Sequence, residues 1–151
     1  MAFVSASGLP PGKEIRASFV ATLLAASTAL TGCGPRVPVG PPTVPVHGKV
    51  VFTKGGDVAK LHDTQGVIEF ESLDQPGIKA YGTIEQDGSF ILGTKFEGGS
   101  KAGAVAGKHR VRLNLDETAQ SLVAPQFLHF ERSKLTVTVP SAEEIVIRVW
   151  R

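Results

Sequence analysis

The chain is poor in the residues that usually announce a chemistry. Its 151 residues hold one cysteine, one methionine, one tryptophan and one tyrosine. A single cysteine excludes a disulfide within the chain and any zinc site built on paired thiolates. The formal net charge is +2, too balanced for the basic stripe or patch of a nucleic-acid binder. No charge-free apolar run reaches the roughly 20 residues that a membrane-crossing helix needs. After residue 33 no amphipathic helix is evident, since the small-residue stretch 102–106 is interrupted by Gly103 and followed by Gly107. The histidines His47, His62, His109 and His129 are scattered, and no nucleophile-elbow motif accompanies a serine. His62-Asp63 beside Asp57 falls short of the four-ligand set that zinc requires. These absences lead us to expect a chain with no catalytic residues, metal or cofactor.

What the chain does have is concentrated at its start. Lys13 and Arg16 precede the charge-free stretch 19–30, and small residues lead to Leu30-Thr31-Gly32-Cys33. A positive segment, a short apolar segment and a small-residue cut site identify residues 1–32 as a helical secretory signal peptide. The Pro- and Gly-bearing stretch ahead of Lys13 is long, which leaves room for translation to begin after Met1. Leu30-Thr31-Gly32-Cys33 resembles the bacterial lipobox. The resemblance implies cleavage between Gly32 and Cys33, lipidation of the Cys33 thiol and acylation of the new amine. Several acyl chains anchor stably where one gives only marginal binding. Gly34 stands where inner-membrane lipoproteins of some bacteria carry Asp, so the resemblance favours the outer membrane or cell surface. The membrane is thus the first expected partner, reached through Cys33.

Residues 33–45 form the next segment, with Pro35, Pro38, Pro41, Pro42 and Pro45. Such density excludes helix and favours an extended, semi-rigid tether. With Lys13, Arg16 and Glu14 set aside, the remainder carries 14 Lys and Arg against 13 Asp and Glu. Residues 46–151 are then one small domain, held by its apolar core alone.

In that domain apolar and polar residues alternate. The runs are 46–52, 67–71, 78–84, 89–92, 109–115, 135–139 and 144–150. Period-two alternation rich in Val, Ile, Thr and Phe is the strand signature. Turn-forming clusters such as Gly55-Gly56-Asp57, Asp74-Gln75-Pro76-Gly77 and Asp87-Gly88 separate them. The pattern predicts an all-β, seven-stranded antiparallel Greek-key sandwich. Phe52, Phe70 and Phe90 belong to its core. Glu69 and Glu71 share one strand face, as do Arg110 and Arg112 on another, which predicts cross-strand ion pairs.

Three segments carry a further likeness. Val46-His47-Gly48-Lys49-Val50, Gly82-Thr83-Ile84-Glu85-Gln86-Asp87-Gly88-Ser89-Phe90 and Ala106-Gly107-Lys108-His109-Arg110-Val111 resemble, in order, strands of the carboxypeptidase regulatory-like domain. That resemblance implies a transthyretin-like or immunoglobulin-like sandwich, with Asp87-Gly88 as a tight hairpin turn and Phe90 in the core. His109 and Ala106 depart from the family's Tyr and Pro. The arrangement is similar to small bacterial lipoproteins that carry one such domain on a Pro-rich tether. Transthyretin-like hydrolases end in Tyr-Arg-Gly-Ser, whereas this sequence ends in Trp150-Arg151, which favours a non-catalytic role.

Function is therefore expected in recognition, as a structural or protein-interaction module of the cell envelope. Carbohydrate binding is the alternative, because glycan-binding sandwiches display surface aromatics. Tyr81, Phe96, Phe127, Phe130 and Trp150 are the aromatics available for such a surface, and Phe127, Phe130 and Trp150 make the candidate patch. The bland alternative has the 124–130 loop covering one end of the sandwich.

Overall fold

The computed structural model describes residues 39–151. The expected signal peptide, with Gly32 and Cys33, lies outside them. Among the described residues nine strands form two sheets, with the apolar core between. They are β1 (His47–Lys54), β2 (Val67–Ser72), β3 (Lys79–Thr83), β4 (Ser89–Ile91), β5 (Gly93–Phe96), β6 (Gly99–Ala102), β7 (Gly107–Asn114), β8 (Leu135–Val139) and β9 (Ile145–Trp150). The smaller sheet runs β4-β1-β9 and the larger runs β6-β5-β3-β2-β7-β8.

All seven alternating runs contribute strands. The two additional ones, β5 and β6, show why seven is too few. Residue 92 ends the run 89–92, but Leu92 is a crossing point rather than a terminus. The chain leaves the small sheet at Ile91 and enters the large one at Gly93. Leu92 itself is buried and bonds on both sides, its N–H donating to Val46 just before β1 and its carbonyl accepting from Gly103 just after β6. β6, Gly-Ser-Lys-Ala, is exposed at every position, so it has no buried face to impose alternation. The sheets are also not wholly antiparallel. β1 and β9 run parallel, Gly48 opposite Ile145 and Phe52 opposite Val149. A contact between the first and last strands is too remote in sequence for local patterning to report its direction.

Short helices appear too. In α1 (Val58–Asp63), Asp57 caps the first turn by accepting from the Ala59 N–H at 3.1 Å, satisfying one of the donors left unpaired at a helix start. Leu61 is fully buried and holds the turn against the core. Two 3₁₀ turns, Glu117–Leu122 and Pro125–Leu128, lead into α2 (Phe130–Ser133).

The core follows from the alternation. Ile68 and Phe70 of β2 and Val111 and Leu113 of β7 face Val50 and Phe90 of the small sheet, all buried. Phe70 and Phe90 join the two sheets, their ring centroids 6.0 Å apart. Burying one such ring stabilises the fold by about 1.5–3 kcal/mol. Phe52 is only half-buried.

Asp87-Gly88 turns the chain as its residues suggest, but between sheets. β3 pairs with β2 and β5, while β4 pairs with β1, so the turn does not close a hairpin of paired strands. Gly88 has φ +85°, and a Cβ there would lie 2.4 Å from the Val50 carbonyl oxygen. The position takes glycine on both counts.

Part of the Pro-rich segment is docked on the domain. Val44 and Ala104 exchange both backbone hydrogen bonds, at 2.8 and 3.0 Å. The Thr43 hydroxyl donates to the Ala102 carbonyl at 2.7 Å, and Lys101 Nζ donates to that of Pro41 at 3.4 Å. These contacts run alongside β6.

Candidate functional site

The outer face of the large sheet is where polar side chains converge. Strand alternation sends Ile68 and Phe70 inward and leaves Val67, Glu69 and Glu71 outward. Register then sets Glu69 opposite Arg112 and Glu71 opposite Arg110 on β7, and Val67 opposite Asn114. The expected cross-strand pairs form. Arg112 donates to Glu69 Oε2 through Nη2 and Nε, at 2.7 and 2.8 Å, and Asn114 Nδ2 donates to Oε1 at 2.8 Å. Glu71 binds Arg110, with Lys79 at 3.7 Å, and Arg110 reaches Glu131 at 3.4 Å.

Glu69 is not on a solvated face. Its side chain is 4% exposed, against 30% for Arg112. A carboxylate stripped of water needs charged hydrogen bonds in return. Arg112 and Asn114 supply them.

Phe130 covers part of the same face. It is buried, with Arg112, Lys79 and Arg110 4.7, 5.3 and 5.4 Å from its ring centroid. Phe127 is buried at 1% exposure and stacks edge-on against Trp150 at 4.6 Å. Only Trp150, 41% exposed, is open to solvent. The three aromatics therefore do not form one exposed patch. The 124–130 loop folds inward with Phe127 and lays Phe130 over the charged sheet face.

Beside the ion pairs lies a groove of about 510 Å³. Val67 and Gly93 line it along with Glu69, Tyr81, Thr83, Lys95, Ser100 and Asn114. Gly93 is the cross-strand neighbour of Tyr81 and has no side chain to fill the space beside the ring. Lys95 Nζ sits 5.7 Å from the Tyr81 ring centroid. A second groove, about 490 Å³ and more apolar, lies at one end among Val123, Pro125, Leu128 and Arg151.

The histidines do not gather. His62 Nδ1 is 3.2 Å from the Ile84 carbonyl oxygen, while His47 and His129 are exposed. His109 is buried beside Phe70, its ring 6.1 Å away. Burial lowers its pKa below the usual imidazole value, while the Gly107 carbonyl and Asp74 pull the other way. Among the described residues, no three His, Cys, Asp or Glu side chains are grouped to hold a metal ion.

Alternation puts Glu69 and Glu71 on one strand face and Arg110 and Arg112 on another, and the register of β7 on β2 then sets Glu69 opposite Arg112. Alternation does not disclose Lys95 and Ser100, which belong to β5 and β6. Tyr81 is recognisable only as an available aromatic.

No protein-family model, no curated protein and no solved structure matches this chain.

Proposed function

We propose that the chain is an exported, lipid-anchored lipoprotein whose β-sandwich is a non-catalytic interaction module of the cell envelope. The observation that carries this reading is the coincidence of Lys13 and Arg16, the charge-free stretch 19–30 and Leu30-Thr31-Gly32-Cys33. The position of the sole cysteine supports it. Cys33 precedes Val44, the first of the described residues bonded into the domain's backbone. The groove supports the recognition role, because it offers hydrogen-bonding groups, a ring and an ammonium, with no histidine or cysteine among its lining residues.

The transthyretin-like or immunoglobulin-like Greek-key reading belongs to the same proposal. The segments that resemble the carboxypeptidase regulatory-like domain fall on β1, on the β3-to-β4 turn and on β7. The docked segment shortens the spacer. Only residues 34–39 separate Cys33 from Gly40, which lies against the Phe96 ring.

Cell fractionation with intact mass measurement tests the anchor. The wild-type protein is expected in membranes as an acylated chain beginning at Cys33. Cys33→Ala is expected to be released or left unprocessed. A Cys33→Ala protein that is normally cut and fully membrane-bound would overturn the proposal.

A further inference from the structure

We infer that the groove on the outer face of the large sheet binds an acidic saccharide, with a sugar ring on Tyr81 and its carboxylate at Lys95. This names a ligand class for the interaction module and rests on that reading, though not on lipidation of Cys33.

The groove has the shape and chemistry for such a ligand. At about 510 Å³ it falls within the usual range of small-ligand sites. Tyr81 projects from β3 next to Gly93, so no side chain stands directly across the strand from it, and Lys95 Nζ borders the ring at 5.7 Å. The C–H face of a pyranose is apolar and pairs with an aromatic ring. Its hydroxyls need fixed donors and acceptors around that ring.

Asn114, held by its hydrogen bond to Glu69, supplies them on one side and Ser100 on the other. The Glu69 carboxylate is locked by Arg112 and Asn114, so a ligand would meet groups already oriented, which lowers the ordering cost of binding.

The charge decides which saccharide. The Glu69 carboxylate is neutralised by Arg112 at 2.7 Å. Lys95 is exposed and, among the described residues, has no carboxylate within ion-pair distance. One uncompensated ammonium above an aromatic ring suits a sugar carboxylate. An extended peptide has less to gain here. Peptides add to sheet edges, whereas β2, β3 and β5 are paired on both sides.

The test is an amide-resonance titration of the full chain with a galacturonate trisaccharide, a neutral glucose trisaccharide and oligoglutamate as separate probes. The galacturonate probe is expected to shift Tyr81, Lys95, Ser100 and Asn114. Tyr81→Ala is expected to weaken its binding about tenfold, and Tyr81→Phe, which keeps the ring, to preserve it. Lys95→Met is expected to weaken it about fivefold and to remove most of its salt dependence. Trp150→Ala serves as a control and leaves binding unchanged.

The inference is overturned by no shifts with the galacturonate probe up to about 10 mM, a concentration that detects even millimolar affinity. It is equally overturned by shifts at residues 123–128 instead, by equal binding of the neutral sugar, or by binding of oligoglutamate alone. Each result is independent of where Cys33→Ala fractionates, so failure of the anchor and failure of the groove remain separate.

Discussion

The two faces of the large sheet are made by the same strands and held in opposite ways. On the inner face, Ile68, Phe70, Val111 and Leu113 are buried by contact with the small sheet. On the outer face, Glu69, Glu71, Arg110 and Arg112 are held by ion pairs directly across β2 and β7. One-residue steps along a strand thus switch the dominant force from apolar burial to charged hydrogen bonding. The inner face has no direction of its own, whereas each outer pair works only in one register. The outer face therefore helps specify the alignment that the inner face stabilises.

The largest expected effect comes from removing the ring that joins the sheets. Phe70→Ala should cost about 3–5 kcal/mol in urea unfolding, the usual loss for a buried Phe. A loss below about 1 kcal/mol would mean that the inner face tolerates a cavity, contrary to its close packing.

The next effect is on the outer face. Glu69→Ala should cost about 1–3 kcal/mol, because it strips Arg112 and Asn114 of a buried acceptor. Arg112 can turn to water, which keeps the loss below that of a fully enclosed pair. The cost should persist in high salt, because a pair this buried is poorly screened. If added salt abolishes it, the outer face is an ordinary solvated surface and the contrast fails.

The smallest expected effect comes from His109, a polar residue on the apolar face. Burial lowers its pKa from the ordinary value of 6.5, so the folded protein holds it neutral where the unfolded chain begins to protonate. Between the lowered value and 6.5 the unfolded state binds more protons, and stability falls as pH falls through that window. Above it, His109 contributes no pH dependence. His109→Leu should flatten this part of a stability profile measured between about pH 5 and 8. An unchanged slope would assign the dependence to other groups.

Alternation made the sheet interior and the shared faces of Glu69 with Glu71 and of Arg110 with Arg112 legible in the sequence, because a strand with one buried face must place every second residue inward. It failed where burial no longer has that period. β6 has no buried face, and Leu92 is buried at a crossing rather than within a strand. Phe127 and Phe130 show a second limit. Three residues apart in a loop without periodicity, one enters the core and the other lies beneath three cations, an outcome set by tertiary packing. The Asp57 cap had a readable signal, but α1 is too short to build an amphipathic stripe. The groove draws on β2, β3, β5, β6 and β7, so it exists only once their order in the sheet is known.

The parallel pairing of β1 with β9 has a mechanical consequence. The chain enters this pair at the His47 end and leaves at the Trp150 end, with Gly48 opposite Ile145 and Lys54 opposite Trp150. Tension between an N-terminal attachment and a load on the C-terminus would pull these strands lengthwise in opposite directions. Their backbone hydrogen bonds would then bear the force together in shear, instead of parting one at a time like a zip. Resistance to such pulling is set by the unfolding rate rather than by equilibrium stability, and here the first and last strands of the domain form the clamp.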